Sequence, residues 1–395
     1  MKPKLVLITH VENRAVVEGF VPAALNLGYE VWLLTDHGLD HKQYFVGREL
    51  CPQHIIECDV FNPLAVIDCL YTLTISPDVV FSNSDHLQAS TAMVADYFAC
   101  PAKDWHLCYQ AKNKAAMRAK LFELGLPSTW AFSWSIGETL PNNMPFPLVA
   151  KPREGVASMD VTLCHNLEDL EVYAANFRRS DGVILLESYL EGPLFTLETL
   201  GDGHRLHAIG GFDVSLSTPP YFIETQACWN GAICMPYREQ ALAQIATFGI
   251  NFGVCHSEFI LTDTGPVLVE INYRSIGDGR EFLLNDLLSF NWFETILLVH
   301  AGHDLPELDI QTRDALIRYF PASQEGNISV CPAPLSVNHL NYQARYLPIK
   351  SIGDSIRLSY SNKDYLGVLT LWGEGLVSLE ATADAVSQNL KWEIN

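Results

Sequence analysis

Three polar residues at alternate positions end an apolar run in the second half of the chain. The segment VLVEINYRSIGDG (residues 267–279) begins like a buried strand and then places Glu270, Asn272 and Arg274 two residues apart. Successive side chains of a strand point to opposite faces, so these three would share one face. A carboxylate, an amide and a guanidinium on one face are suited to hold a metal ion beside an anion.

A second β-rich run precedes this segment and reaches it through the turn-forming letters DTG. A hairpin symmetric about Thr264 predicts three cross-strand pairs on one face: Glu258 with Glu270, His256 with Asn272, and Ile260 with Leu268. Directly opposed carboxylates repel each other unless a cation lies between them. The two carboxylates and the amide are hard oxygen donors, which suit Mg²⁺ or Mn²⁺ bound together with phosphates and do not suit zinc. A solvent-exposed hairpin face without a ligand is the alternative, and a one-residue bulge would change the register.

A lysine ends another apolar run, LVAKP, directly before a turn of small residues. An isolated buried ammonium is costly, so Lys151 requires an anionic partner. Gly155, Ala157 and Ser158 in the turn would let backbone N–H groups approach phosphate oxygens. A plain hairpin turn is the alternative for this segment.

A further polar cluster ends the apolar run LLESYLEG. Backbone groups near Tyr189 and Leu190 would hydrogen-bond the edge of an adenine ring, and Glu187 would accept a hydrogen bond from its amino group. This run and the lysine segment therefore predict a nucleotide site assembled from several strands.

The elements that position these residues follow two patterns. From KLVLIT to PDVVFSNSD, apolar runs alternate with helix-like segments, which predicts a parallel sheet with helices on both faces. The segment THVENRAVVEGF after the first strand has no dinucleotide-binding glycine fingerprint, and the chain contains no P-loop motif. A nucleotide site is therefore expected in the later part of the chain.

From Asn113 onward the pattern favours antiparallel strands with intervening helices. The helix in KAAMRAKLFELGLP ends at glycine and proline stop signals. One long helix is predicted over residues 283–302. From about residue 313 the chain is β-rich, and it ends in a helix predicted over residues 382–390.

Composition and charge disfavour several classes of protein. Asp and Glu number 46 against 25 Lys and Arg, a formal charge of −21, which disfavours nucleic acid or an anionic membrane as a partner. No apolar run approaches the roughly 20 residues that span a bilayer, and the N-terminal apolar run is too short for a signal peptide. The ten cysteines form no C-x-x-C pair, so they predict neither a zinc site nor a disulfide framework. A cytoplasmic protein with reduced thiols is expected.

Taken in order, these segments resemble the ATP-grasp superfamily of carboxylate–amine ligases over nearly the whole chain. NKAAMRAKLFELGLP resembles its lysine-bearing helix, PLVAKPREGVASMDV its second lysine and glycine loop, LLESYLEG its adenine hinge, and GVCHSEFILTDTGPVLVEINYRSIGDG its metal-binding segment. The resemblance implies an α/β and α+β protein with the ATP-grasp fold. Its parts would be an N-terminal parallel α/β domain (residues 1–105), a small lobe with the glycine loop (106–190), a large lobe with the metal site (191–312) and a β-rich C-terminal domain (313–395).

The resemblance also implies roles for the matching positions. The residues that would hold Mg²⁺ or Mn²⁺ are Glu258, Glu270 and Asn272. The residues that would bind ATP are Lys114, Lys151, Ser158, Glu187, Tyr189, Leu190 and Leu268, with Val149 as a second apolar wall for adenine. The residues that would act in catalysis are Arg274, Lys151 and His256. Phosphoryl transfer mostly needs positioning and charge neutralisation, which lysines, a metal ion and an arginine supply.

One position departs from the family, and one segment indicates a subgroup. Leu194 stands where the family has a ribose-binding glutamate, so that either Glu191 or Glu198 replaces it or the ribose is held less tightly. His256 and the segment PPYFIETQACWNGAICMP (residues 219–236) resemble the L-amino-acid and dipeptide ligases and the ligases of siderophore and antibiotic pathways. The residues that would contact the substrates in this subgroup are His256, Glu224, Trp229 and Arg274.

The implied reaction joins a small carboxylic acid to an amine. ATP would phosphorylate the acid, and the amine of an amino acid would attack the acyl phosphate to give an amide, phosphate and ADP. His256 and Glu224 are the candidates for the general base. The partners would be small molecules, without nucleic acid or membrane, and a homodimer stays open. A carboxylase-type enzyme that uses bicarbonate and a non-catalytic ATP-binding module are the alternatives.

Overall fold

A four-stranded parallel sheet begins the chain in the computed structural model, which describes residues 2–155, 157–308, 310 and 313–395. The strands are β1 (Lys4–Ile8), β2 (Glu30–Thr35), β3 (His54–Glu57) and β4 (Val79–Phe81), in the order β3-β2-β1-β4. The helices are a π-helical segment (Ala15–Phe20) that continues into α1 (Val21–Asn26), then α2 (Gly38–Phe45), α3 (Pro63–Thr72) and α4 (Gln88–Tyr97). Leu5 and Leu7 lie in one hydrophobic core and Val6 and Ile8 in another. Both faces of the sheet are therefore covered, which confirms the predicted architecture.

A second, small sheet follows two helices. The elements are α5 (Trp105–Lys112), α6 (Lys114–Glu123), β5 (Ala131–Ser135), β6 (Leu148–Pro152), β7 (Thr162–Cys164), α7 (Leu167–Asn176) and β8 (Val183–Ser188). The strand order is β5-β8-β6-β7, and all pairs are antiparallel. Helix α6 begins at Lys114 because the side chain of Asn113 accepts a hydrogen bond from the backbone N–H of Ala116.

A ten-stranded antiparallel sheet, here the large sheet, forms the rest of the frame. Its first strands are β9 (Leu194–Asp202), β10 (Leu206–Gly210), β11 (Phe212–Leu216), β12 (Glu224–Trp229), β13 (Phe252–Thr262) and β14 (Gly265–Asn272), with helix α8 (Cys234–Phe248) between β12 and β13. The order is β14-β13-β9-β11-β12, and β10 pairs with β9. The hairpin that carries the predicted metal ligands is thus one edge of this sheet.

The register of that hairpin confirms two of the three predicted pairs. His256 pairs with Asn272, and Glu258 with Glu270. A bulge then shifts the register by one residue, so that Ile260 faces Val267, and the predicted pairing of Ile260 with Leu268 is wrong. A bulge leaves one extra residue on one strand. Here the side chain of Leu268 lies in the hydrophobic core, and the side chain of Val269 lies in the cavity wall together with Ile260.

The C-terminal strands extend the large sheet. The next elements are α9 (Arg280–Leu287), α10 (Trp292–His300), β15 (Asp314–Pro321), β16 (Gly326–Val330), β17 (Leu335–Asn338), β18 (Tyr342–Pro348), β19 (Ser355–Ile356), β20 (Tyr365–Gly373), α11 (Leu376–Ser387) and β21 (Glu393–Ile394). The large sheet continues through β12-β15-β20-β18-β17, so strands on both sides of the predicted domain limit at residue 312 pair in one sheet. Residue 312 itself lies outside the described residues. The four predicted domain limits stay predictions.

Two predicted helices have different limits in the structure. The single helix predicted over residues 283–302 is two helices, α9 and α10, bent by 98°. Leu288 adopts an extended conformation, and the Asn291 side chain caps α10 by accepting from the N–H of Glu294. The last helix begins at Leu376, six residues before the predicted start. Among the described residues, no single helix has both the length and the apolar content to cross a bilayer, and the bent pair passes only when its two helices are taken together.

Candidate functional site

A cavity between the small sheet and the edge of the large sheet brings together many of the predicted residues. Those in its wall are Lys114, Val149, Lys151, Ser158, Glu187, Tyr189, Leu190, Glu224, Glu258 and Glu270. They come from α6, from β6 and β8 of the small sheet and the segments that follow these two strands, and from β12, β13 and β14 of the large sheet. Segments far apart in sequence therefore meet at one cavity whose wall combines apolar side chains with this charged cluster. The individual roles of these residues stay predictions.

Each of the two opposed carboxylates has a cationic partner. Lys114 Nζ lies 2.9 Å from Glu270 Oε1, and His256 Nε2 lies 3.4 Å from Glu258 Oε1. Burial alone would lower the pKa of Lys114, but Glu270 outweighs it and raises that pKa above its usual value. Both cations therefore offset the repulsion that the pairing of Glu258 with Glu270 creates.

His256 lies behind the metal-ligand candidates rather than in the cavity wall. It is 4% exposed, and its Nδ1 lies 2.7 Å from Glu198 Oε1. Burial opposes protonation, but the carboxylates of Glu198 and Glu258 outweigh burial and raise the pKa of His256 to about 9. Glu198 is fully buried and also accepts from the Thr196 hydroxyl, so the alternative in which it replaces a ribose ligand is wrong. His256 thus contacts both Glu198 and Glu258 from behind the cavity wall, and its predicted catalytic and substrate roles stay predictions.

A buried triad of charges fixes the small sheet to α6. Lys151 Nζ lies 2.6 Å from Glu187 Oε2, and Arg118 donates to both oxygens of Glu187 at 2.6 and 3.2 Å. Arg118 also donates to the backbone oxygens of Leu268 and Val269 at 2.6 and 3.1 Å. Burial would raise the pKa of Glu187, but the two cations outweigh it and lower that pKa to about 2.

This triad changes the predicted role of Glu187 and adds a residue that the sequence analysis missed. Both Glu187 oxygens are bound by cations, so the carboxylate serves as their counter-ion rather than as a free acceptor for adenine. Arg118 lies one helical turn after Lys114, and that spacing puts both side chains on one face of α6. The spacing is the signal that could have found Arg118.

Two predicted site residues belong to hydrophobic cores. Leu268 is fully buried in a core with Phe195 and Phe259, and Val269 takes its place in the cavity wall. Trp229 is 2% exposed and packs on Phe212, with ring centroids 4.9 Å apart. The predictions of Leu268 as an adenine wall and of Trp229 as a substrate contact are therefore wrong.

Asn272 and Arg274 lie just past the cavity wall. Asn272 is 6% exposed and stands opposite His256 in the hairpin. Arg274 Nε lies 3.8 Å from Asp85 Oδ1, at the end of the N-terminal sheet, and its Nη1 donates to the Ser275 backbone oxygen at 2.7 Å.

Asp85 is a second residue that the sequence analysis missed. It also pairs with Lys112, whose Nζ donates to the Gly155 backbone oxygen at 3.1 Å. Burial would raise the pKa of Asp85, but Lys112 and Arg274 outweigh it and hold that pKa below its usual value. The N-terminal sheet is thus tied both to Arg274 and to the glycine turn.

Glu224 forms a buried ion pair in the cavity wall. Its carboxylate is bound by the Arg280 guanidinium and by the Asn362 side chain, the latter at 3.3 Å. Burial raises the pKa of Glu224 despite the Arg280 charge. Among the described residues, the Nε and Nη1 atoms of Arg280 are buried and have no hydrogen-bond partner. The predicted substrate position at Glu224 therefore lies next to an unsatisfied guanidinium.

The donor set of the hairpin fits a hard divalent cation. Glu258 and Glu270 are directly opposed and reach the same cavity, and Asn272 adds an amide oxygen two residues along the strand. Mg²⁺ prefers such oxygen donors and binds jointly with phosphate oxygens. Lys114 and Lys151 in the same wall provide the charges that phosphates need.

Comparison with known sequences gives distant relatives that cover part of the chain. No family model matches. The chain is 24% identical over 262 residues to the uncharacterised protein y4rH of Sinorhizobium fredii, across 63% of this chain and 54% of the relative. It is 23% identical over 259 residues to dapdiamide A synthase of Enterobacter agglomerans, across 58% of this chain and 60% of the relative. The chain thus spans a little over half the length of these curated relatives.

Solved structures match over the whole chain. The L-amino acid ligase from Bacillus licheniformis superposes with a TM-score of 0.81 at 18% identity, and phosphoribosylglycinamide synthetase from Anaerococcus prevotii with 0.74 at 15% identity; both cover 100% of each chain. N5-carboxyaminoimidazole synthetase from Staphylococcus aureus, complexed with ADP, superposes with 0.69 at 14% identity, over 98% of this chain and 97% of that one. At these identities the likeness shows the fold, and it confirms the fold predicted from the sequence.

Proposed function

The chain has the ATP-grasp fold, and from this premise we propose that it is an ATP-dependent carboxylate–amine ligase that forms an amide bond through an acyl phosphate. One observation carries the proposal. Two lysines, Lys114 and Lys151, share one cavity with two opposed carboxylates, Glu258 and Glu270. Such a cavity has cationic side chains that can bind phosphates next to a site for a hard cation, and phosphoryl transfer needs both.

The proposed reaction has two steps. A carboxylate oxygen of the acid attacks the γ-phosphorus of ATP, the bond to the β-phosphate oxygen breaks, and ADP leaves. The amine nitrogen then attacks the acyl carbon, loses a proton, and phosphate leaves with the former carboxylate oxygen. A bound Mg²⁺ would supply charge neutralisation at the transferred phosphate.

The chain's own residues supply positioning and further charge. Lys114 and Lys151 would bind ATP phosphates, Ser158 and the backbone beside it would cover the γ-phosphate, and Tyr189 and Leu190 would border the adenine. Arg274 would neutralise the acyl phosphate, and in the structure its Nε lies 3.8 Å from Asp85 Oδ1. His256 would hold Glu258 in place, because it bridges Glu258 and the buried Glu198.

The glycine turn would keep water away from the acyl phosphate, which water would otherwise hydrolyse. Ser158 and Met159 lie in the cavity wall, and Lys112 holds the Gly155 carbonyl from the side of the N-terminal sheet. The predicted loop over residues 153–160 includes residue 156, which lies outside the described residues.

We further propose that at least one substrate is an amino acid, in peptide or siderophore-type biosynthesis. The support is Glu224, whose buried carboxylate lies in the cavity wall and is paired with Arg280. Glu224 would bind an ammonium group or take the proton that the amine loses.

The test is release of ADP and phosphate with Mg²⁺ and pairs drawn from a panel of amino acids and carboxylic acids. We expect at least one acid–amine pair to raise ADP release well above the rate with ATP alone, and Glu270→Gln to abolish that increase. Glu239→Gln, which changes an exposed glutamate paired with its neighbour Arg238, is the matched control and should keep full activity.

Three results would contradict the proposal. One is a panel in which no acid–amine pair stimulates ADP release, which would leave the non-catalytic ATP-binding module. Another is stimulation by bicarbonate alone, which would favour the carboxylase-type alternative. Full turnover of Glu270→Gln at saturating Mg²⁺ would show that Glu270 is not a metal ligand.

A further inference from the structure

A second cluster of possible metal ligands lies outside the cavity, at the ends of β1 and β2. His10, Asp36 and His37 each offer one ligand atom, and these atoms all lie within 4.8 Å of one another. The parallel register pairs Ile8 with Leu34, so two residues further along both chains His10 stands beside Asp36. The pairing of β1 with β2 therefore brings the loop residues that follow the two strands close together.

Hydrogen bonds hold the cluster in place from behind. The His10 backbone oxygen accepts from the Thr35 hydroxyl at 2.8 Å and is 3.0 Å from His41 Nε2. His37 Nδ1 lies 3.2 Å from Asp40 Oδ2. Metal-binding histidines commonly use their second ring nitrogen in such a carboxylate contact, which fixes the ring and its tautomer.

The donor types select a class of ion. Two imidazoles and one carboxylate suit divalent transition metals and do not suit Mg²⁺, which prefers oxygen donors only. The His10 Nδ1 atom is already 2.8 Å from both Asp36 oxygens, so small side-chain rotations would bring the three donors to about 2.0–2.2 Å from one ion.

The cluster also lies where an open α/β sheet binds ligands. The cluster lies beyond the carboxyl ends of β1 and β2, and ligands of open α/β sheets bind beyond the carboxyl ends of the strands; the order β3-β2-β1-β4 reverses next to it, between β1 and β4. The three side chains are about one third exposed, at 33%, 28% and 36%. An ion bound there would keep coordination positions open for water or for a donor group of a small molecule.

We propose that His10, Asp36 and His37 bind one divalent transition-metal ion of the Zn²⁺ or Co²⁺ type, at a site separate from the Mg²⁺ site of the hairpin. The proposal stands on this cluster alone and does not depend on the ligase activity.

The chain contains a matched control for an ordinary histidine–carboxylate pair. His54 Nε2 lies 3.0 Å from Glu30 Oε1 on the same sheet, and its ring stacks on Trp32 with centroids 3.5 Å apart. No third metal-ligating side chain joins this pair in the part of the chain that the structure describes. His54→Ala therefore removes a comparable contact without touching the proposed site.

The experiment is titration of the full chain with Zn²⁺ by calorimetry and with Co²⁺ by visible absorption, both in excess Mg²⁺. Thiolate coordination is distinguishable in the Co²⁺ spectrum, and burial raises the pKa of thiols such as Cys108 to about 11, which disfavours their competition. We expect one equivalent to bind to the wild type without thiolate bands. His10→Ala, Asp36→Asn and His37→Ala should each weaken binding at least about 100-fold, and His54→Ala should leave it unchanged.

Several outcomes would overturn the proposal. These are no saturable one-equivalent binding to the wild type, unchanged affinity in His37→Ala, or an equal loss in His54→Ala. Because His37 is at the surface, His37→Gln serves as a second variant that keeps the polar contact to solvent, and circular dichroism checks that each variant is folded. Binding should persist in Glu270→Gln, which separates this site from the hairpin site.

Discussion

The buried charge triad of Glu187, Lys151 and Arg118 gives the sharpest stability prediction. Glu187→Gln keeps the shape of the side chain but leaves two buried cations without a counter-ion. The pKa of Glu187 is lowered from 4.5 to about 2, and that difference corresponds to about 3 kcal/mol of folding free energy at neutral pH. Glu187 is only 4% exposed, so solvent screens little of it. We expect Glu187→Gln to lower the free energy of unfolding by about 3–5 kcal/mol.

The order of effects within the triad is a further part of this prediction. Arg118→Met or Lys151→Met leaves one cation with Glu187, so each should cost less than Glu187→Gln. A group with a lowered pKa stabilises the fold above its unfolded pKa and loses this contribution as pH falls through the folded value. Between about pH 4.5 and pH 2 the wild type should therefore lose about 3 kcal/mol that Glu187→Gln does not lose.

The assay is urea unfolding followed by circular dichroism at several pH values, with the exposed Glu239→Gln as the control. The explanation would be refuted if Glu187→Gln unfolded within about 1 kcal/mol of the wild type at pH 7. It would also be refuted if Arg118→Met cost more than Glu187→Gln. Either result would mean that the triad is not held together by the central carboxylate.

Three further predictions concern other parts of the molecule. Burial raises the pKa of Glu281 to about 7, so its contribution to stability is present below about pH 4.5 and is lost as pH rises through 7. In urea unfolding, the stability of Glu281→Gln relative to the wild type should therefore rise by about 3 kcal/mol between pH 5 and 8. Parallel pH profiles of the two proteins would contradict this. Asp85→Asn removes the counter-ion of Lys112 and Arg274 and should lower the free energy of unfolding by about 3 kcal/mol in the same assay. The same substitution should lower it clearly less in a Lys112→Met background, and equal losses in both backgrounds would disprove the coupling. Gly211→Ala places a Cβ against the backbone oxygen of a neighbouring strand and should cost about 3 kcal/mol, whereas an unchanged thermal midpoint would contradict the packing.

The fold and the face of the metal hairpin could be predicted because their patterns are local. Alternating charged residues placed Glu258 opposite Glu270, and a short turn fixed the pairing near it. The bulge could not be predicted, because the run VLV beside it is apolar on both faces and alternation carries no information there. Leu268 was therefore expected in the cavity wall but lies in the core, and Val269 lies in the cavity wall instead.

Long-range contacts could not be predicted, because no local sequence pattern encodes them. The glutamate in LLESYLEG looked like a free acceptor, because its partner Arg118 lies 69 residues earlier in the chain. Trp229 belongs to a segment rich in aromatic and small residues, and its packing on Phe212, which no local pattern predicts, makes it a core residue. The continuation of the large sheet past residue 313 depends on the pairing of β12 with β15, which no local pattern encodes.

The acyl phosphate is the central claim, and oxygen-isotope transfer tests it most directly. An acid that stimulates ADP release would be labelled with ¹⁸O in its carboxylate and incubated with the enzyme, ATP, Mg²⁺ and the amine. If the carboxylate attacks the γ-phosphorus, one labelled oxygen per amide formed appears in inorganic phosphate, together with one ADP. Label in AMP, or unlabelled phosphate released with the amide, would contradict the proposed reaction.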